Sequence, residues 1–141
     1  MKYLFSTILI LLTITTSCKK SASQATEMTQ MERVIAVHDD VMPKMGKIGQ
    51  LINALESKTD SMDTGNPYNT AQHDLKEAYT YMMDWMKGFG ERFNSDEILD
   101  GKMLSNEKKI WLIEEESKVN LMKKMVLSSI SNAETLLKET P

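Results

Sequence analysis

The sequence predicts an all-α protein: an up-down-up three-helix bundle with long first and third helices, preceded by a signal peptide. Apolar residues recur at steps of three and four in three separate segments, which is the period of a helix with one buried face. Segments with the alternating pattern typical of strands are missing from the sequence. The connections are short, so consecutive helices are expected to be antiparallel and the first and third to be parallel.

Residues 1–17 are predicted to be a secretory signal peptide. Lys2 provides the positive start, residues 4–14 are apolar, and the small or hydroxylated residues 15–17 lead to Cys18. The apolar run of about 11 residues is shorter than the roughly 20 that a helix needs to cross a bilayer. We therefore expect a cleaved signal and not a membrane-spanning helix.

Cys18, the only cysteine in the chain, stands at the expected cleavage boundary. The stretch resembles the lipobox of bacterial lipoproteins, with Thr16 and Ser17 at the two small positions and Thr15 where Leu is usual. In such lipoproteins the thiol receives a diacylglycerol and the freed amine a third acyl chain, commonly palmitate. The alternative is a secretory signal with an incidental cysteine. We expect lipidation, because a lone exported thiol has no disulfide partner and several acyl chains anchor a protein firmly.

Residues 18–27 are then the lipidated cysteine and a polar tether, and residues 28–138 the helical domain. By resemblance to Gram-negative lipoproteins, the lack of Asp after Cys18 argues against retention in the inner membrane. The lack of a following acidic cluster argues against export to the cell surface. We expect the periplasmic face of the outer membrane. The formal net charge of −3, without a basic face, makes nucleic acid a poor candidate partner.

The first helix is predicted at roughly residues 27–58. A wide apolar stripe supports it, made of Met28, Met31, Val34, Ile35, His38, Val41, Met42, Met45, Ile48, Ile52 and Leu55. Pro43 interrupts the stripe, because proline lacks a backbone donor and crowds the preceding turn, at a cost of about 3 kcal/mol in a helix interior. We expect a kinked single helix, with a break near Asp40 as the alternative.

The second helix is predicted at roughly 69–88, after turn residues 65–67 and ending at Gly88 and Gly90. Its apolar face carries Ala71, Leu75, Ala78, Met82, Trp85 and Phe89. Residues 91–104 are expected to be a polar linker.

The third helix is predicted at roughly 105–138, with Ser105 as its N-cap. Its apolar stripe is Val119, Met122, Val126, Ile130, Ala133 and Leu137. The earlier stretch 110–113 is apolar on all sides, and three glutamates follow it. We expect one of the three, Glu115, to turn inward, one helical turn before Val119.

His38 is the most informative candidate for chemistry, since it lies on the buried stripe of the first helix. The predicted topology places Trp85, Met86 and Glu115 near it. A half-buried histidine needs partners for both ring nitrogens, so we expect a His38–Glu115 pair. We favour a structural role for His38, Glu115, Trp85 and Pro43. His73 is expected on a solvated face, so the two histidines do not converge.

Methionine is unusually frequent, with 12 residues in the chain. Met42, Met45 and Met86 are expected near His38, and thioether and imidazole ligands both suit copper. A copper site is therefore one hypothesis, and a non-covalently held b-type haem is another. The favoured interpretation is that methionine fills the core, so no cofactor is predicted.

Catalysis is not predicted from the sequence. His38-Asp39 and His73-Asp74 are adjacent pairs, whose side chains diverge by about 100° on a helix, so neither is expected to form a preformed dyad. A glycine-rich phosphate loop is also missing.

Three stretches resemble a family of short bacterial lipoproteins that often carries the name "viral A-type inclusion protein". They are residues 38–46 (HDDVMPKMG), residues 82–86 (MMDWM) before Phe89, and residues 128–131 (SSIS). The resemblance covers roughly residues 1–140, and the two Met-rich stretches carry most of it. It implies a helical lipoprotein, no viral role, and no catalytic residues.

The sequence therefore predicts a lipid-anchored, non-enzymatic helical bundle in the periplasm that binds another protein or an envelope component. The alternative is a carrier of copper or a small ligand, centred on His38 and the nearby methionines. The oligomeric state is left open by the sequence.

Overall fold

The computed structural model of the chain describes residues 28–59 and 65–139. The predicted signal peptide (1–17), Cys18 and the tether (18–27) lie outside the described residues. Throughout the two described ranges the chain is mostly helical and contains no strand, which confirms the all-α prediction.

The first predicted helix is two helices joined by a tight turn. Helix α1 spans Gln30–Val41, a 3₁₀ turn covers Met42–Lys44, and helix α2 spans Met45–Glu56. Pro43 has no N–H to donate to the Asp39 carbonyl, so the chain tightens until Met45 N–H reaches the Met42 carbonyl. The interruption therefore lies at Pro43, as predicted, and not near Asp40. It is a 3₁₀ turn between two helices and not a kink within one helix.

Helix α3 spans Pro67–Arg92 and is longer than predicted at both ends. Asn66 caps it by accepting a hydrogen bond from Tyr68 N–H at 2.8 Å, with proline at the first helical position. The predicted end at Gly88 and Gly90 is wrong. Phe89 and Phe93 are buried beyond it, and burying an aromatic side chain outweighs the roughly 1 kcal/mol that each glycine costs.

The predicted linker contains a short helix, α4, at Ser95–Leu99. Asn94 and Glu97 form a reciprocal capping box at its start, with Asn94 N–H donating to Glu97 at 2.9 Å. Gly101, at φ 68°, turns the chain out of α4. Helix α5 then spans Asn106–Lys138 with Ser105 as its N-cap, as predicted.

The core lies where α5 meets α1, α2 and α3. Three ion pairs join the first two helices to α5: Arg33–Glu116 at 3.3 Å, Asp40–Lys123 at 2.7 Å and Lys47–Glu134 at 2.9 Å. The contacts between α3 and the first two helices run in the opposite order along the chain: Gln72 with Ile52, and Trp85 with His38. At the end of α3, Arg92 pairs with Glu115 of α5. Trp85 and Glu115 are buried, as predicted.

Candidate functional site

The candidate site is a small cavity between α1, the end of α3 and α4. Its volume is about 200 Å³, and it is lined by Ile35, His38, Trp85, Met86, Phe89, Gly90 and Ile98. The rings of His38 and Trp85 stack with centroids 5.6 Å apart, and Trp85 stacks on Phe89 at 4.9 Å. The predicted proximity of His38 to Trp85 and Met86 is therefore confirmed.

The hydrogen-bond partner of His38 is Asp39 and not Glu115. The Nδ1 atom of His38 lies 2.9 Å from Oδ1 of Asp39. The expected His38–Glu115 pair is wrong, and His38 and Asp39, which were not expected to form a preformed dyad, are in hydrogen-bond contact. Although the two side chains leave the helix about 100° apart, a short carboxylate can fold back to the near nitrogen of the preceding ring.

Two polar atoms beside this cavity are buried and have no hydrogen-bond partner in the described part of the chain: Nε2 of His38 and Nε1 of Trp85. In the neutral imidazole with Nδ1–H donating to the Asp39 carboxylate, Nε2 is an acceptor, while the indole Nε1–H of Trp85 is a donor only. Each unpaired buried group costs about 1–3 kcal/mol. The site is therefore chemically unsatisfied, with one donor and one acceptor on neighbouring rings.

The three predicted methionines do not all line the cavity with His38. Met86 lines the cavity, whereas Met45 is buried in the core and Met42 is 40% exposed, and neither lines it. The cavity is also below the roughly 300 Å³ at which ligand pockets commonly begin, which is too small for haem. As metal ligands, the cavity lining offers one imidazole, that of His38, and one thioether, that of Met86.

Glu115 is the centre of a second, charged cluster. Its Oε1 accepts hydrogen bonds from Arg92 Nη1 at 3.0 Å and from Lys118 Nζ at 2.9 Å, and the residue is 2% exposed. Arg92 also donates to Glu114 at 2.7 Å and lies 5.4 Å from the ring centroid of Trp111. This cluster borders a cleft of about 410 Å³ between α3 and α5. Arg92 was not foreseen as the partner because it lies in the unpredicted last turns of α3.

A third cluster of ligand-type atoms lies on the outer face of α3. One ligand atom each of His73, Asp74 and Glu77 lies within 4.8 Å of the others. All three side chains are at least partly exposed. The sequence places His73 on a solvated face, and the i, i+1, i+4 spacing was the available signal for the cluster. Exposed groups at such distances are common without a metal, so we assign no metal site to this cluster.

Carboxylates between α1, α2 and α5 are stabilised in their charged form. The hydrogen bond from Lys123 lowers the pKa of Asp40, the hydrogen bond from Gln30 lowers the pKa of Glu116, and the hydrogen bond from Lys47 lowers the pKa of Glu134. At one end of the bundle, the hydrogen bond from Lys108 lowers the pKa of Glu97. These groups hold helices together and do not converge on the cavity.

Four large apolar side chains in the stretch from α4 to the first turns of α5 are exposed. Leu99, Met103, Ile110 and Ile113 are exposed by 77%, 88%, 61% and 58%. We call these four residues the apolar tip. The sequence shows these residues to be apolar but does not show their exposure, because exposure depends on which neighbours cover them.

Comparison of the chain with protein-family models, with curated proteins and with solved structures gives no match. In the described stretches, none of the helices combines the length and the apolarity that crossing a bilayer requires.

Proposed function

We propose that this chain is a lipid-anchored helical-bundle protein of the bacterial cell envelope, acylated at Cys18 and held at the periplasmic face of the outer membrane. The observation that carries the proposal is the position of the only cysteine, directly after a short apolar run and small residues. The polar character of residues 18–27 supports a tether between the anchor and the folded domain.

The fold that fits this role is an up-down-up bundle, in which α1 and α2 together form the first arm, α3 the second and α5 the third. Support comes from the ion pairs between the first arm and α5, whose residue numbers rise together along both partners. The contacts of α3 with the first arm run in the opposite order. Towards α5, the end of α3 meets Glu115 through Arg92, and the earlier residues Asp74 and Glu77 share a cleft with Met125 and Ser129, as antiparallel packing requires.

The role of the domain in this proposal is to bind another envelope component without catalysing a reaction. The apolar tip supports it, because large apolar side chains that are this exposed are candidates for an interaction surface. The charged cluster supports it as well, since the buried Glu115 carboxylate is neutralised by Arg92 and Lys118 and is thereby committed to structure.

Metabolic labelling with a clickable fatty-acid analogue tests the anchor. The full chain should incorporate the label and sediment with membranes, whereas Cys18→Ala should do neither. Ser17→Ala keeps a small residue before the cysteine and is the matched control, which should be labelled like the wild type. Equal labelling of wild type and Cys18→Ala would contradict the proposal.

A second candidate function is the carriage of a small ligand or Cu(I) at the His38–Trp85 cavity. The unpartnered Nε2 of His38, with the thioether of Met86 in the same lining, is the observation that favours it. Both unpartnered ring atoms are shielded from solvent, so a ligand would have to turn the His38 ring to reach Nε2.

Competition titration of the reduced protein with Cu(I) tests this second candidate. His38→Ala and Met86→Leu should each weaken binding, whereas Met42→Leu, which lies outside the cavity lining, should leave it unchanged. If His38→Ala and Met86→Leu bind Cu(I) as the wild type does, the carrier function is wrong.

A further inference from the structure

The first turns of α5 extend beyond the start of α1. The side chain of Gln30 donates to Glu116 at 2.7 Å, which places the start of α1 beside that residue. Ten residues of α5 precede Glu116 within the helix, and at 1.5 Å per residue they rise about 15 Å. The described chain therefore begins, at residue 28, at the same end of the bundle as the start of α5.

Within α5, the two residues of the apolar tip are more exposed than two large apolar side chains farther along the helix. Ile110 and Ile113, three residues apart on one face of the helix, are 61% and 58% exposed, compared with 49% for Leu121 and 39% for Leu127. Met103, in the connection before α5, is 88% exposed. The exposed apolar surface is thus greatest at the end from which the predicted tether leaves.

We propose that the apolar tip inserts into the surface of the lipid bilayer to which Cys18 is anchored. This inference rests on the proposed acylation of Cys18. About ten tether residues can span at most roughly 33 Å, more than the 15 Å by which α5 extends past α1. Tethering raises the local concentration of lipid around the tip, so a small apolar surface binds the bilayer more readily than it would in a free domain.

The chemistry of the neighbouring residues favours lipid over the chain's own tether as the occupant. In residues 18–27 the only apolar side chains besides the acylated cysteine are Ala22 and Ala25, which are too small to cover two isoleucines, a leucine and a methionine. Lys19 and Lys20 directly follow the anchor and favour anionic headgroups. Lys102, beside Met103, pairs with Asp96 at 3.3 Å through its ammonium, and its long apolar stem can lie along the interface while that charge stays in water.

Nitroxide labelling of an introduced thiol tests the proposal, because acylation leaves Cys18 unreactive. The full chain carrying Met103→Cys is purified in acylated form, labelled, and reconstituted on vesicles of phosphatidylethanolamine and phosphatidylglycerol. Collision rates with oxygen, which concentrates in lipid, are compared with those of a water-soluble nickel chelate. The oxygen-to-nickel ratio of the label at 103 should rise on vesicles. Leu127→Cys, farther along α5, is the matched control and should keep a ratio typical of water.

The possible results separate the insertion from the anchor. A single label per molecule, vesicle-bound protein and a water-like ratio at both positions would overturn insertion while leaving the anchor intact. Two labels per molecule, with protein that does not stay on vesicles, would overturn acylation and the insertion that depends on it. Dipolar broadening between labels at 103 would show that two copies meet at the tip, and would also overturn insertion into lipid.

Discussion

The ion pair between Arg92 and Glu115 offers the sharpest test of how the bundle is held together. Substitution Arg92→Met removes one of the two cations that neutralise a carboxylate exposed by only 2%. The methionine keeps an apolar side chain over Trp111, and the bond from Arg92 to Glu114 at 2.7 Å joins a half-exposed carboxylate and contributes little. The main loss is therefore the charged hydrogen bond to Glu115 at 3.0 Å.

The expected loss of unfolding free energy is about 2 kcal/mol. Stripping a buried ion of its only partner costs about 3–5 kcal/mol, but Lys118 still donates to Glu115 at 2.9 Å. The loss therefore falls in the range of one charged hydrogen bond, about 1.5–3 kcal/mol. For a domain of this size it lowers the thermal midpoint by about 10 °C.

A double-mutant cycle measured by urea denaturation is the assay. Glu115→Met combined with Arg92→Met replaces both partners by apolar side chains, which is often close to neutral. The double variant should therefore be more stable than Arg92→Met alone. Lys102→Met is the matched control, because its pair with Asp96 joins two side chains that are each more than half exposed, and its cost should stay below about 0.5 kcal/mol.

Two results would refute this reasoning. If Arg92→Met loses no more than Lys102→Met does, Glu115 is not a buried carboxylate that depends on Arg92. If the losses of Arg92→Met and Glu115→Met simply add in the double variant, the two side chains are not coupled, and the end of α3 does not lie against the first turns of α5.

Three further predictions concern stability. Trp85→Ala should cost about 3–5 kcal/mol in urea denaturation because Trp85 is 6% exposed in the core; a loss under about 1 kcal/mol would show that it is not packed there. His38→Phe keeps the ring stack and removes the unpartnered Nε2, so the free energy of unfolding should increase by up to about 1 kcal/mol and the thermal midpoint should rise with it. A fall in the thermal midpoint would mean that Nε2 has a partner. The lowered pKa values of Asp40 and Glu134 give stability that is complete above their ordinary values of 3.8 and 4.5 and is lost as pH falls through the folded-state pKa. The urea midpoint should therefore drop as pH falls below about 5 and go on dropping below the ordinary carboxyl values, with a smaller drop in Lys123→Met, and a midpoint that is independent of pH would contradict this.

Apolar periodicity predicted the helices and their buried faces well, because it depends only on side chains that share a face. Trp85 and Glu115 lie on the predicted apolar faces of their helices, and both are buried. The pattern failed at the end of α3, where glycine propensity suggested a stop but the burial of Phe89 and Phe93 continues the helix. That error hid Arg92 and led to the wrong partner for Glu115.

The candidate site was only partly predictable. The proximity of His38 to Trp85 follows from topology, whereas the Asp39 contact depends on a rotamer that periodicity does not specify. The capping box of Asn94 and Glu97 is readable as a spacing of three, and it would have revealed α4. Met103 is exposed because no neighbour within residues 28–59 and 65–139 covers it in the fold, and a single sequence carries no signal for such a missing contact.

The most direct test of the central claim is the mass of the N-terminal peptide from protein extracted out of membranes. We predict that the mature chain begins at Cys18 and carries a diacylglycerol on the thiol and a third acyl chain on the amine. A mature chain that begins at another residue, or one whose Cys18 thiol is free, would contradict it.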